Sequence, residues 1–235
     1  MRPLAAQLQV ELMLTLRRGE SLLITAVVPV VLLIFFGSIV STPPDFLVPG
    51  LLALAVMSTS MVSLGIATAY ERYYGALKRL LGSPLPRSSL IAAKTLSVFL
   101  IEAVQIIMLL LIARFLFGWR PSGSPLAATA AFVLGSAAFA GLGLLLAGTL
   151  RAEATLAVAN GLYLVFLLLG GFILPLDRLP DPIETIAHLL PAAALADATR
   201  AALSGDIQDV LAPLALLACW AVVTIGAAVA TFRAE

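Results

Sequence analysis

Six apolar stretches, each long enough to cross a lipid bilayer as a helix, constrain this chain more than any other feature. A helix rises about 1.5 Å per residue, so roughly 20 apolar residues cross a hydrocarbon core of about 30 Å. The chain has 235 residues, of which 61% are hydrophobic and only 11% are charged, and a soluble core cannot bury so much apolar surface. The sequence therefore predicts an all-α integral membrane protein, a single transmembrane domain with six spans. The predicted spans are residues 22–40, 47–69, 95–117, 126–150, 154–174 and 210–232.

The basic residues predict the orientation, because lysine and arginine in short loops stay preferentially on the cytoplasmic side. With the N-terminus inside, ten of the 14 lysines and arginines are cytoplasmic and the other four are outside. The cytoplasmic ten are Arg2, Arg17, Arg18, Arg72, Lys78, Arg79, Arg87, Lys94, Arg151 and Arg233. The outer four are Arg114, Arg120, Arg178 and Arg200. We therefore predict that the N- and C-termini are both cytoplasmic.

Residues 3–18 carry a leucine at every fourth position, with polar residues on another face of the same helix. The segment precedes the first span, and we predict that it is an interfacial helix lying along the inner leaflet. Anchoring to the membrane surface explains such a helix by itself. The alternative is that its polar face also contacts a cytoplasmic partner.

Residues 70–94 form the longest predicted cytoplasmic loop and contain a stripe of apolar residues at helical spacing. The stripe consists of Tyr70, Tyr73, Tyr74, Leu77 and Leu81. It predicts a short amphipathic helix over 70–81, which Pro84 and Pro86 end, before a new helix begins near Ser88. Anchoring by positive charge explains the basic residues of this loop, but it does not require an ordered helix. We interpret the helix as an element that docks on a cytosolic protein.

Residues 175–209, on the predicted outer side, form another segment that does not span. Asp181 can cap a helix that Pro191 limits to about two and a half turns, and a second helix can follow over 192–203 before Gly205. Each piece is too short to cross the bilayer and too apolar for an ordinary loop. We expect an outer re-entrant segment of two half-helices, with protein or a cavity shielding the breaks in the backbone.

The sequence lacks several kinds of site. A phosphate-binding loop needs Gly-Lys-Ser/Thr, but the two lysines, Lys78 and Lys94, follow leucine and alanine. His188 and Cys219 are the sole residues of their types, so neither a metal site nor a histidine-based triad has support. The net charge of +1 does not favour nucleic-acid binding. We therefore expect no enzyme chemistry, no metal and no cofactor bound by this chain.

Glu102 is an ionisable residue inside a predicted span, about 12 Å beyond Lys94 along the helix. Gln105 lies one turn further on the same side. A carboxylate at this depth should face the bundle or a cavity, since lipid cannot solvate it. Two interpretations remain open: a residue of a substrate pathway or proton relay, and a protonated or hydrogen-bonded contact between helices.

Two motifs resemble a known family. Glu71, Gly75, Leu77, Leu80, Pro84 and Arg87 reproduce the E-x-x-x-G-x-L-x-x-L-x-x-x-P-x-x-R stretch of type 2 ABC transporter permeases, especially the daunorubicin-resistance group. The outer segment is similar to that family's stretch between spans five and six. Its matching residues are Gly170, Gly171, Phe172, Pro175, Leu179, Pro180, Ile186, Leu190, Pro191, Asp197, Arg200 and Gly205. Ala76 departs from the family's usual threonine.

The resemblance implies the membrane subunit of an exporter in a bacterial plasma (inner) membrane. Two such permeases, identical or different, would surround a central pathway, and separate ATP-binding subunits would hold the ATP and magnesium. The helix over 70–81 would be the coupling helix, with docking residues Glu71, Arg72, Gly75, Leu77, Lys78, Arg79, Pro84 and Arg87. Glu102 and Gln105 would belong to the pathway. The outer half-helices would form an exit gate that includes Pro175, Pro180, Pro191 and Arg200.

The few charges within the spans favour a hydrophobic or amphipathic substrate, a drug or a lipid. A haem-exporter-type or polysaccharide-exporting permease is an alternative within the same family. A membrane scaffold that recruits a partner without transport is an alternative from another class, and ATP-dependent efflux discriminates against it. A proton-coupled carrier is a third reading, which the lone carboxylate in the spans disfavours.

Overall fold

The computed structural model describes residues 13, 19–40, 42–75 and 87–231, and throughout this part the regular structure is helical, with no strand. The α-helices are α1 (Gly19–Ser38), α2 (Pro44–Met57), α3 (Leu64–Tyr73), α4 (Arg87–Phe117), α5 (Pro125–Thr149), α6 (Ala152–Leu169), α7 (Asp181–Ala187), α8 (Pro191–Ser204) and α9 (Ile207–Thr231). A π-helical segment, Ser58–Ser63, joins α2 to α3, and a 3₁₀ turn, Leu176–Arg178, precedes α7.

Five helices among the described residues are long and apolar enough to cross a membrane. They are Pro44–Tyr73, Ala92–Phe117, Pro125–Thr149, Ala152–Leu169 and Gln208–Thr231. The first predicted span coincides with α1, whose described apolar part, Val27–Ser38, is shorter. The all-helical membrane architecture is therefore confirmed, and the count of six spans stays a prediction.

Residues Pro44–Tyr73, which we call the central span, form the core of the bundle. Their most apolar window is 83% buried inside the protein, against 56% for α5 and a third or less for the other long helices. Helices approach each other closely in lipid where small residues meet. At the contact between the central span and α5, a Cβ added to Gly143 would lie 2.6 Å from the Met61 carbonyl oxygen. Glycine at this position therefore lets the two backbones touch.

Three predicted boundaries are corrected by the structure. The helix that contains Tyr70 ends at Tyr73, because Gly75 adopts a φ of +74°, a conformation that ends helices. The predicted single helix over 70–81 is thus interrupted by a turn at Tyr74 and Gly75. The span predicted to reach residue 174 ends at Leu169, just before Gly171 with a φ of +64°. Lys94 lies well inside α4 and not in a loop.

Other predicted segments lie outside the described residues. These are the interfacial helix over 3–18, apart from Met13, and the stretch over 76–86 with Leu77, Lys78, Arg79 and Pro84. Their predicted structure and roles stay predictions.

Helix α8 packs inside the bundle against the central span, α5 and α9. Its first residues lie deep, because Leu189, two residues before α8, accepts a hydrogen bond of 3.0 Å from the Trp220 indole nitrogen. Trp220 is about 20 Å along α9 from its start. The far end of α8 is capped by the backbone N–H groups of Ser122 and Gly123, which both donate to Leu203. The helix thus rises from the middle of the bundle to the predicted outer end, as a re-entrant segment would.

The close contact at Gly143 gives a testable prediction. Gly143→Ala should destabilise the protein by about 1–3 kcal/mol, because the new methyl group overpacks the contact with the Met61 carbonyl. Gly226→Ala in α9, where nothing lies within 4 Å of the added Cβ, is the matched control and should not destabilise. Thermal unfolding in detergent, followed by size-exclusion chromatography, measures both variants. Equal melting temperatures for the two would contradict the close contact.

Candidate functional site

At the predicted cytoplasmic end of the bundle, which we call the inner end, a buried ion pair joins the central span to α4. The Lys94 ammonium donates to the Glu71 carboxylate at 2.5 Å, and these side chains are only 1% and 10% exposed. Removing charges from water costs several kcal/mol unless each charge has a partner. The pair therefore fixes the end of α3 against α4. The Glu71 side chain points into the bundle, whereas a docking side chain would point outward.

Arg72 makes a second connection at the inner end, from the central span to α5. Its guanidinium donates to the Gly148 carbonyl at 2.7 Å and also to the Leu150 carbonyl. The last carbonyls of a helix have no partner within the helix, and a cation there also interacts favourably with the helix dipole. Arg72 therefore supplies hydrogen-bond donors to carbonyl groups at the end of α5. We call Glu71, Arg72 and Lys94 the inner-end clamp, since they tie three spans together.

Two aromatic residues next to the clamp are exposed. Tyr73 and Tyr74 are 64% and 73% exposed, and Tyr70 stacks on Tyr74 with ring centroids 6.2 Å apart. Gly75 follows in the turn, and no described residue lies within 4 Å of a Cβ added there. Of the other predicted docking residues, Arg87 begins α4 and the remainder fall outside the described part of the chain. The described surface beside the clamp thus includes two exposed aromatic side chains.

Halfway along the bundle, polar side chains from the central span, α4 and α5 meet. Glu102 is 3% exposed and accepts a hydrogen bond from the Ser136 hydroxyl, and Ser60 lies beside the same carboxyl group. Thr59 donates to the Gln105 side-chain oxygen at 3.0 Å. We call these five residues the mid-span polar cluster. The structure thus brings together Glu102 and Gln105, the two residues that the sequence singled out.

Sequence reasoning missed the other three members of the cluster. The run Ser58-Thr59-Ser60 interrupts an otherwise apolar span, and this run was the available signal. In the structure it begins the π-helical segment, a local widening that is frequent at functional sites. Ser136 stands among glycines and alanines in the sequence, which gave no signal for it.

At the opposite, predicted outer end, Arg200 of α8 connects two other parts of the chain. Its guanidinium donates to the Gly171 carbonyl and lies 4.0 Å from the ring centre of Phe46, near the start of the central span. A further bond of 3.4 Å reaches Asp197. Planar guanidinium groups suit such combined hydrogen bonding and stacking. Arg200 therefore fixes the chain after α6 against both α8 and the central span.

Charges near Arg200 are partly withdrawn from water. Burial raises the pKa of Asp197, although the neighbouring Arg200 and His188 oppose this effect. Burial likewise lowers the pKa of Arg200, while Asp197 opposes the shift. His188 lies 3.6 Å from Asp197 and 3.7 Å from Glu184. The outer end thus holds a small network of charges around α8.

The predicted gate prolines each begin a structural element. Pro175 precedes the 3₁₀ turn, Pro180 precedes α7, and Pro191 is the buried first residue of α8. Proline suits the start of a helix because its missing N–H would have no partner there. Asp181 occupies the first turn of α7 and makes no side-chain cap, contrary to the capping role expected for it.

No group of three or more metal-ligating side chains occurs among the described residues. The three sites instead offer hydrogen bonds and paired charges at the two ends and the middle of one bundle.

Comparison with known proteins gives a family and several relatives. The chain matches the family model described as ABC-2 type transporter over residues 4–204. YvfS of Bacillus subtilis (strain 168), a transport permease by name, is 25% identical over 206 residues, or 82% of each chain. YbhS of Escherichia coli (strain K12), a multidrug ABC transporter permease by name, is 27% identical over 171 residues, 71% of this chain and 45% of YbhS. LnrN of B. subtilis (strain 168), a linearmycin resistance permease protein by name, is 31% identical over 191 residues, 79% of this chain and 48% of LnrN. The chain thus spans about half the length of YbhS and LnrN.

The buried ion pair gives a prediction about stability. Lys94→Met should destabilise the protein by about 3–5 kcal/mol, because it leaves the Glu71 carboxylate buried without its partner. The double variant Lys94→Met with Glu71→Met removes both charges and should recover much of that loss. Thermal unfolding of the three proteins in the same detergent measures the effect. A double variant less stable than Lys94→Met would contradict the pairing.

Arg200 gives a prediction about the outer end. Arg200→Lys should weaken the attachment of residues 170–180 by about 2 kcal/mol, because lysine cannot reproduce the guanidinium bonds to Gly171 and Asp197 together with the contact with Phe46. Hydrogen exchange measured by mass spectrometry should show faster exchange of these residues. Arg178→Lys, an exposed change in the same segment, is the control. Unchanged exchange in Arg200→Lys would show that these contacts do not hold the segment.

Proposed function

The chain belongs to the ABC-2 type transporter family, whose permeases work with an ATP-binding subunit, and we propose that it exports a hydrophobic or amphipathic substrate from the cytoplasm. The energy would come from ATP hydrolysis on the separate subunit, which would hold the ATP and magnesium. The proposal places the protein in a bacterial plasma membrane with both termini in the cytoplasm.

The inner-end clamp is the observation that best supports this proposal. The exposed Tyr73 and Tyr74 directly follow Glu71 and Arg72, which bond to α4 and α5. A partner that moves the turn at these tyrosines therefore moves the ends of three spans together. Such a connection suits a subunit that converts ATP binding into displacement of the helices.

In this proposal the residues of the sequence motif have two different roles, and only some of them contact the ATP-binding subunit. Tyr73, Tyr74 and Gly75 would contact the ATP-binding subunit, along with residues of the 76–86 stretch. Glu71 and Arg72 would act behind that surface as positioning residues that transmit the movement. A second copy of the permease, or a related chain, would complete the pathway.

The mid-span polar cluster would belong to the pathway, since Glu102 and Gln105 place polar groups at a depth where lipid offers none. The outer end would serve as the exit gate, with Arg200 and the three element-starting prolines controlling the position of α8. A drug or lipid is the substrate class we favour. The spans carry few charges, and YbhS and LnrN are named for multidrug transport and linearmycin resistance.

Removal of the exposed aromatic surface tests the proposal. Tyr73→Ala with Tyr74→Ala should weaken binding of the ATP-binding subunit by about tenfold or more, because buried aromatic residues dominate such interfaces. The chain is co-expressed with its ATP-binding subunit and purified in lipid nanodiscs. Co-purification and ATPase activity are then measured.

Phe115→Ala is the matched control, since Phe115 is an exposed aromatic residue near the other end of α4. It should leave binding and ATPase activity unchanged. Unchanged co-purification in the tyrosine variant would contradict docking at this surface. A wild-type assembly that shows no ATP-dependent efflux would favour the scaffold alternative.

A further inference from the structure

Glu102 carries a buried oxygen atom that no described residue satisfies. One carboxyl oxygen, Oε2, accepts the hydrogen bond from Ser136, whereas Oε1 accepts none within the described part of the chain. Ser60 lies beside the carboxyl group, but its hydroxyl donates to the Val56 carbonyl. Buried polar atoms nearly always have a partner, and an exception calls for an explanation such as a bound molecule. Along α4, Glu102 lies about 12 Å beyond Lys94 and about 18 Å before Arg114.

The three hydroxyl groups around this oxygen have no hydrogen left to donate to it. The hydroxyl of Thr59 donates to Gln105, that of Ser60 donates to the Val56 carbonyl at 2.6 Å, and that of Ser136 donates to Glu102 itself. A hydroxyl has a single hydrogen to donate, so the remaining capacity of these three side chains is for accepting. A molecule that binds here must therefore supply the donors.

The charges in the described spans favour the same kind of molecule. Lys94 is paired with Glu71, and Arg72 bonds to the end of α5. Arg114 is 12 residues beyond Glu102, about 18 Å along α4. An anionic head group at Glu102 would thus meet a carboxyl group without a nearby cation. A cationic head group would be attracted to that carboxyl.

Access to the cluster is easiest at α4. Only 33% of the apolar window of α4 is buried, whereas the central span opposite it is 83% buried. Val104 and Ile107, on the outward face of the same helix, are 69% and 57% exposed. A displacement of α4 therefore opens the cluster to the surroundings of the bundle while the central span keeps its contacts with α5. The Glu71–Lys94 pair connects α4 to the end that we propose is moved by ATP binding.

We propose that the mid-span polar cluster is a binding subsite for a hydrogen-bond-donating head group of an amphipathic molecule, a primary ammonium group above all. The Glu102 Oε1 atom accepts the first N–H bond, and the Ser60 and Ser136 hydroxyl oxygens accept the others. The subsite selects among amphiphiles by the donors on the head group, while the apolar surroundings accept the tail. This inference rests on the proposed export function and specifies the substrate at its pathway.

Four amphiphiles with the same eight-carbon tail test the subsite. Octylamine carries a cationic donor, octyltrimethylammonium a cation without a donor, octanol a neutral donor, and octanoate an anion. The full chain and its ATP-binding subunit are reconstituted in lipid nanodiscs, and the concentration of each amphiphile that half-maximally stimulates ATPase activity is measured. The wild-type value for octylamine should be about tenfold lower than that for octyltrimethylammonium, since a hydrogen bond to a charged group is of this strength. Octanoate should be the weakest of the four.

Glu102→Gln keeps the size of the side chain and removes its charge. It should raise the half-maximal concentration of octylamine about tenfold and that of octyltrimethylammonium less, because the amine loses a charge-assisted hydrogen bond as well as the attraction between charges, whereas the quaternary cation loses the attraction alone. Glu102→Asp, which retains the carboxylate, should preserve part of the preference for octylamine. Thr129→Val is the control in α5, since the exposed Thr129 bonds only to the Pro125 carbonyl of its own helix. It should leave all four values unchanged.

Equal loss for both cations in Glu102→Gln would overturn the donor subsite, as would four equal values in the wild type. A wild-type assembly that responds to none of the amphiphiles would also overturn it. The export function itself fails separately, when the wild-type chain neither binds the ATP-binding subunit through Tyr73 and Tyr74 nor supports ATP-dependent efflux.

Discussion

The burial of the central span by its neighbours is the interaction on which the other features of this bundle depend. Helices in lipid gain little from the hydrophobic effect, so their association relies on close packing and hydrogen bonds. Gly143 provides the close packing, and Thr59 provides one of the hydrogen bonds. The same span carries the inner-end clamp at its end, the π-helical segment at its middle and Phe46 under Arg200 at its start. The central span therefore connects all three sites, and through it a movement at one end of the bundle is transmitted to the other.

Satisfaction of polar groups explains where these sites lie. Away from water, a carbonyl or a charge needs a partner within the protein. Arg72 satisfies the end of α5, Lys94 pairs with Glu71, and Arg200 satisfies the Gly171 carbonyl. Three buried side-chain atoms in the described part of the chain lack a partner, and one of them is the Glu102 oxygen at the centre of the bundle. The charged side chains with partners described here thus lie at the two ends, while a buried carboxyl oxygen without a partner among the described residues lies in the middle.

The sequence predicted much of the secondary structure and part of the site. Apolar length and bounding charges located the long helices, and a carboxylate within an apolar run identified Glu102. The end of α3 at Tyr73 was missed, because the apolar stripe continues in the sequence while the backbone turns at Gly75. Ser136 was also missed, since a serine among glycines and alanines looks the same whether it packs against a helix or binds a carboxyl group.

By itself the sequence determined three properties: helices long enough to cross a membrane, the bias of basic residues toward one side, and the motifs of its family. These properties follow from composition and from the spacing of residues along the chain, and they do not depend on contacts between distant parts of the sequence. The tertiary structure alone decided which polar residues meet, because Glu71 and Lys94, or Thr59 and Gln105, are separated by 23 and 46 residues along the chain. It also decided that Glu71 turns inward while Tyr73 stays exposed. Which face of a helix is buried depends on the neighbours that the folded bundle supplies, and no local pattern specifies them.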